Sequence, residues 1–284
     1  GIDSGELQFA GFLLVHKTIN PFLLGKNLEN IHQQVVEYIK FAQKTNNKAA
    51  FDALSAIKVV FDNMLGNTSH INHFSNEFFD EEKVEEMKKR QEFLVLATFL
   101  PLQGIVYYIY EEYHKAKELF EESSSYLFVI TGTFLNIEYN FFHSLSLLQT
   151  LENKSIEERT STLEQIENNQ KQMKIWADSC PENFYHKYCL VEAELARVKG
   201  NTLEAMNLYD EAIKGAEENE FAYNEAIANE LAAKFWLSLE KSDFAKMYLK
   251  RAFYLYDQWG AKRKKELLTQ KYTYILTEEI SKNT

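Results

Sequence analysis

The chain runs to 284 residues, 45% hydrophobic and 26% charged, a globular composition that excludes wholesale disorder. With only 10 Gly and 3 Pro it is too poor in turn residues for an all-β fold. Its 31 basic and 42 acidic residues leave a formal charge of −11, which argues against a duplex-binding module and against docking on anionic lipid.

The opening residues, Gly1-Ile2-Asp3-Ser4, carry no methionine, basic region or apolar core. The expectation is a segment of a longer protein with no secretory leader. Apolar spacing at the helical period then predicts helices over 5–20, 27–45, 47–65, 81–90, 91–111, 112–128, 130–150, 155–178, 182–199, 201–218, 221–239, 241–258 and 261–281. The stretch 66–79 is the least regular. Asp80 is placed to cap the helix beginning at Glu81, Pro181 suits a first helical turn, and Asn201 or Thr202 with Glu204 can cap the helix that follows. Gly66 and Gly200 sit where a left-handed residue ends a helix. No Pro/Gly/Ser-rich linker marks a boundary, so the expectation is one repeat domain over 1–284. Its repeats are degenerate over 1–178 and clearest over 179–260, and a last helix covers 261–281.

Between Phe93 and Tyr110 the sequence carries no charge. It is short for a membrane span and is interrupted by Pro101, Gln103 and Gly104, so it reads as a helix buried inside a helical stack. Two cysteines, Cys180 and Cys189, suggest neither a disulfide framework nor a Cys-rich metal site. The implied setting is reducing and cytoplasmic.

Three local patterns repeat. Gly104 precedes Ala116, Phe120 and Ser123; Ala193 precedes Ala205, Tyr209 and Ala212; Ala233 precedes Ala245, Leu249 and Ala252. In each, a small residue lies 12 positions before an alanine, with a bulky residue at +4 and a small one at +7. The small residue lets a second helix approach, and the bulky one fills the groove between them. The run from Gly200 through Ala205 and Tyr209 to Ala212 resembles a tetratricopeptide repeat, with a spacing of roughly 40–45 rather than 34 residues. The fold expected is all-α: a tetratricopeptide-like right-handed superhelix, an α-solenoid of about six helical hairpins.

Further residues carry a more specific resemblance. They are the run Trp176 to Arg197, Gly200 to Ile213, Glu230 to Ala233, Tyr256 to Ala261, and the Gly25-Lys26-Asn27-Leu28 turn. Together they look like the helical-repeat region of very large bacterial multi-sensor signalling kinases, common in filamentous cyanobacteria. Those proteins join a serine/threonine kinase domain, a STAND-type ATPase, this repeat region, a GAF domain and a histidine kinase. The resemblance implies a regulatory segment without the parent's catalytic parts.

The sequence contains no Walker A, GxGxxG, HRD, DFG, GxSxG or HExxH motif. His70 and His73 lack a second ligand pair and read as loop polarity. Cys180, Cys189 and His186 read as structural, and Glu81, Glu82, Glu85, Glu86, Glu111 and Glu112 as solvated helix faces. No catalytic residue, cofactor or metal is expected. The 21 Phe, 16 Tyr and 3 Trp read as inter-repeat core, with a ligand box as the alternative, since Tyr107, Tyr108 and Tyr110 run round a helix and leave some positions open to the groove.

Tetratricopeptide arrays line their concave face with the first helix of each hairpin. The repeat register puts Lys187, Glu194 and Arg197 on that face in one hairpin, Glu230, Lys234 and Leu237 in the next, and Ile105 and Tyr108 in an earlier one. Two readings stay open for them, contact with a partner or simple hydration. The expected function is a non-enzymatic interaction and regulatory module that couples neighbouring ATPase and output domains. It would bind a protein or peptide segment, including other domains of the same parent, with no nucleic acid and no membrane insertion. The alternative is a small-molecule or peptide sensor whose concave groove holds the effector; a closed pocket with converging polar groups would favour it.

Overall fold

Apolar residues at the helical period become helix along the chain, and five of the eight glycines among the described residues fall between helices. The computed structural model describes residues 7–152 and 154–280, with side chains for 9–152 and 154–276. Fourteen α-helices and no strand occur among the described residues. They are α1 Leu7–Leu23, α2 Leu28–Lys44, α3 Lys48–Met64, α4 Val84–Lys89, α5 Phe93–Ile109, α6 Tyr113–Ser123 and α7 Phe134–Gln149. The remainder are α8 Ile156–Ser179, α9 Pro181–Val198, α10 Thr202–Glu218, α11 Ala222–Ser238, α12 Ser242–Trp259, α13 Lys262–Lys271 and α14 Thr273–Ile280. Short 3-10 turns cover Glu81–Lys83 and Ser124–Val129.

The helix ends follow local chemistry. The Asp80 carboxylate accepts from the Glu82 backbone N–H, and Pro181 sits in the first turn of α9. Gly66 and Gly200 adopt φ of 82° and 79°, the left-handed form that ends a helix without a Cβ clash. The cap expected from Asn201 is not made; its side-chain amide instead donates to Glu204 Oε2 at 3.0 Å. The expected last helix is two, α13 and α14, parted at Tyr272. There the Thr273 hydroxyl bonds back to the Thr269 carbonyl, one of the local bonds that bend helices.

The chain packs as two compact units, one of residues up to 139 with 260–263, the other of 140–259 with 264 onward. The chain passes between them inside α7, at Gly260 after α12, and inside α13, and the first of these crossings, within a continuous helix, has no linker composition to announce it.

In the first unit α1, α2 and α3 pack on one another, α3 packs on α5, and α5 pairs with α6. Every residue from Val95 to Ile109 of α5 is buried, as expected of the charge-free stretch. No helix among the described residues is long and apolar enough to cross a membrane. Gly104 is where α6 comes close: a Cβ there would stand 3.0 Å from the Phe120 ring. The irregular stretch after α3 is tied to that helix. The Asn63 amide nitrogen lies 3.1–3.3 Å from Thr68 Oγ1 and the carbonyls of His70, Ile71 and His73. Tyr110 donates to Asn63 Oδ1 at 3.0 Å, and Arg263 donates to the carbonyls of Asn63 and Thr68. Beside it, Asp62 is buried, which alone would raise its pKa. Hydrogen bonds from His32, Lys58 and Asn76 outweigh burial and hold it at about 2.

In the second unit α8 to α12 pack each on the next, as hairpins of the tetratricopeptide type. Ala205, Ala212, Ala245 and Ala252 are buried, as are Tyr209 and Leu249 between them. The hairpin turns from α9 to α12 are short, and each carries one left-handed residue. It is Gly200 between α9 and α10, but Glu220 and Glu240, both at φ 60°, in the next two turns.

Two outcomes are expected. Ala205→Leu and Ala245→Leu should each overpack a hairpin and cost about 1–3 kcal/mol, read as a lower urea midpoint at unchanged slope. Glu240→Gly should raise stability by about 1 kcal/mol, because it removes the Cβ penalty of the left-handed turn. An unchanged or lower midpoint for that variant would show that the turn is not strained.

Candidate functional site

A charge on the first helix of a hairpin must reach water or find partners inside. The eight residues singled out from the register divide between these fates. Ile105 and Tyr108 are interior: they are 0% and 3% exposed on α5. Lys187, Glu194 and Glu230 are 1%, 1% and 4% exposed. These five therefore do not form the outward face that the repeat register suggested. The correction has one cause. Helices α5 and α11 are enclosed nearly around their whole circumference, and α9 along much of its length, so a position facing away from one neighbour meets another. Arg197, Lys234 and Leu237 are half-buried and reachable.

The interior charges are engaged. The Glu194 carboxylate accepts from Arg197 Nη2 at 2.6 Å, from Arg197 Nε, from Gln149 Nε2 at 2.7 Å, and from the Tyr209 hydroxyl of α10. The Glu230 carboxylate repeats the construction on α11. It accepts from Lys234 at 2.8 Å, from the buried Lys264 at 2.7 Å and from the Tyr256 hydroxyl at 2.8 Å. In both, a buried carboxylate holds a cation about one helical turn further along its own helix, and a tyrosine from a packed helix fixes the carboxylate. The cation's side chain keeps part of its surface, 32% for Arg197 and 23% for Lys234. Lys187 is held differently. Its ammonium donates to Asn224 Oδ1 at 2.9 Å and lies 5.2–5.4 Å from the ring centres of Phe141, Phe221 and Tyr223.

The other candidates for chemistry are not poised for it. His186 packs its ring 4.7 Å from that of Phe221. Burial, helped by Lys187, holds its pKa well below the ordinary histidine value, so the ring is neutral. Burial pushes the Cys189 thiol up to about 12, far from a nucleophile's range, and Cys180 Sγ accepts from Asn183 Nδ2 at 3.1 Å. His73 Nδ1 is hydrogen-bonded to Ser69, and His70 Nδ1 accepts from the Asn72 backbone. No group of three or more His, Cys, Asp or Glu among the described residues is arranged to hold a metal ion.

Sequence reasoning misses Gln149, Tyr209, Tyr256 and Lys264 as the partners that orient the face, and Phe141, Phe221 and Tyr223 as the box around Lys187. Tyr209 is visible as the bulky repeat residue, but nothing in the spacing tells that its hydroxyl reaches a carboxylate.

A family model described as CHK1-like, TPR repeats matches residues 34–274, from within α2 to the start of α14. No curated protein matches the chain.

Removing a buried carboxylate should hurt more than removing the hydroxyl that steadies it. Glu230→Ala takes the carboxylate away from Lys264 and should cost about 3–5 kcal/mol, whereas Tyr256→Phe should cost about 1.5–3 kcal/mol. Chemical denaturation of both variants checks the order; the reverse order would show that Glu230 does not anchor Lys264.

Proposed function

Because the chain belongs to the family of CHK1-like, TPR repeats, we propose that it is a non-enzymatic protein-interaction module of a cytoplasmic multi-domain signalling kinase. In this reading it couples a neighbouring STAND-type ATPase to the output domains by binding a segment of the parent chain or of a partner. The observation that carries the reading is the twofold use of a buried glutamate to hold a reachable cation, Arg197 on α9 and Lys234 on α11. A side chain tethered this way gives up little further freedom on binding, which lowers the entropic cost of recognition. Leu237, three residues beyond Lys234, supplies an apolar anchor on the same helix. Two cations with an apolar neighbour suit an acidic segment that carries aliphatic side chains.

The test uses a fluorescein-labelled hexapeptide of alternating glutamate and leucine, read by anisotropy. Charge reversal would set a carboxylate beside Glu194 or Glu230, so the informative change is neutralisation. Arg197→Gln with Lys234→Gln should weaken binding about tenfold and flatten its salt dependence. Because each change takes a cation from a buried glutamate the melting temperature should fall, so affinities are compared at a temperature where circular dichroism shows both proteins folded. The same preparation should hydrolyse no ATP. Unchanged affinity in the double variant would place binding elsewhere and remove this face from the proposal.

A further inference from the structure

The first unit contains a cavity that the proposed function leaves unused. It holds about 620 Å³ between the start of α3, the stretch 73–83 and α4. Its apolar part is Phe78, Phe79 and Met87, and Phe78 keeps 39% of its surface exposed. Around them stand seven carboxylates and, besides His73, three cations, a surplus of four negative charges. The cations are already committed within the lining. Lys48 pairs with Asp52 and Glu92, Lys83 lies 3.7 Å from Asp80, and Arg90 lies 3.2 Å from Glu86. The other carboxylates are held by weaker partners. Glu81 accepts from neutral donors, the Phe74 backbone N–H and the Gln103 amide. Glu77 reaches Lys58 at 3.8 Å with 64% of its side chain exposed, and Glu82 is exposed at the rim.

We propose that this groove docks a cationic peptide segment in which arginine or lysine alternates with apolar side chains. The cations would meet Glu77, Glu81 and Glu82, and the apolar side chains would cover Phe78. Charge complementarity selects the sign of the partner. The exposed ring favours a peptide whose apolar side chains can cover it over a small polycation, which can meet it only by a cation–π contact of the kind Lys58 already makes at 5.9 Å. The volume lies within the roughly 300–1,000 Å³ of ordinary ligand sites, enough for side chains to enter rather than lie across. Burial raises the Asp52 pKa against the pull of Lys48, and Glu92 adds to the rise, a sign of the same negative field within the lining.

The probe is a fluorescein-labelled hexapeptide of alternating arginine and leucine, titrated by anisotropy against the whole chain. Binding should saturate, weaken steadily with added salt, and fall about tenfold in the Glu77→Lys/Glu82→Lys variant, whose substituted side chains are exposed. Phe78→Ser should weaken it about threefold, and spermine should compete poorly. Equal affinity in the double variant would mean that the chain's overall charge alone attracts the peptide, and would overturn the proposal. Strong competition by spermine would overturn the part assigned to Phe78, as would a folded Phe78→Ser variant of unchanged affinity. Arg197→Gln with Lys234→Gln should leave this peptide's affinity unchanged, so failure here and failure of the α9–α11 face are read separately.

Discussion

A carboxylate inside a helical stack stays charged only if donors surround it, and this requirement shapes the second unit. Glu194 and Glu230 are almost wholly out of water, where an unpaired charge costs several kcal/mol. Each draws in a tyrosine hydroxyl from another helix and a cation from its own. The tyrosines thereby become polar links as well as core, and the cations acquire fixed positions. Replacing such a cluster by apolar side chains could preserve stability. It would not place Arg197 and Lys234.

The first unit meets a different demand. Fourteen residues from Gly66 to Phe79 lie outside helix, and their backbone groups still need partners. Asn63, on the last turn of α3, meets part of that need directly, and its neighbour Asp62 does so at one remove, through the Asn76 side chain whose Oδ1 accepts from the Phe78 and Phe79 N–H groups. Asn63 gathers carbonyls from the first half of the stretch, and Asp62 receives Asn76 from the second. With the segment fixed, Phe78 and the neighbouring carboxylates are held along one side of a cavity.

Helices such as α2, α10 and α12 are legible in the sequence because burial on one side of an amphipathic segment leaves a clear period, whereas α5 and α11, enclosed nearly all round, are marked instead by a charge-free run and by the repeated alanines. The Gly104–Phe120 approach is legible too, since any side chain at 104 would crowd the ring at that distance and force it to shift. The face is less so. From Lys187, Glu194 and Glu230 the spacing alone suggests solvent, because a charge is assumed to be wet. Their burial depends on Tyr223, Asn224, Tyr209, Tyr256 and Lys264, partners 15 to 37 residues away that no local period reveals. The unit division is equally hidden, because it cuts a continuous helix rather than a flexible linker.

The turns between α9 and α12 leave little slack. An inserted residue advances a helix by about 100° about its axis, so one extra position after Gly200 would swing Ala205 away from its contact. Lengthening a turn would therefore misalign an entire face rather than loosen a loop. The same rigidity makes each helix answer to the rotation of the one before it. The directions in which Arg197 on α9 and Lys234 on α11 project are therefore set by the lengths of the turns between them as much as by their own helices.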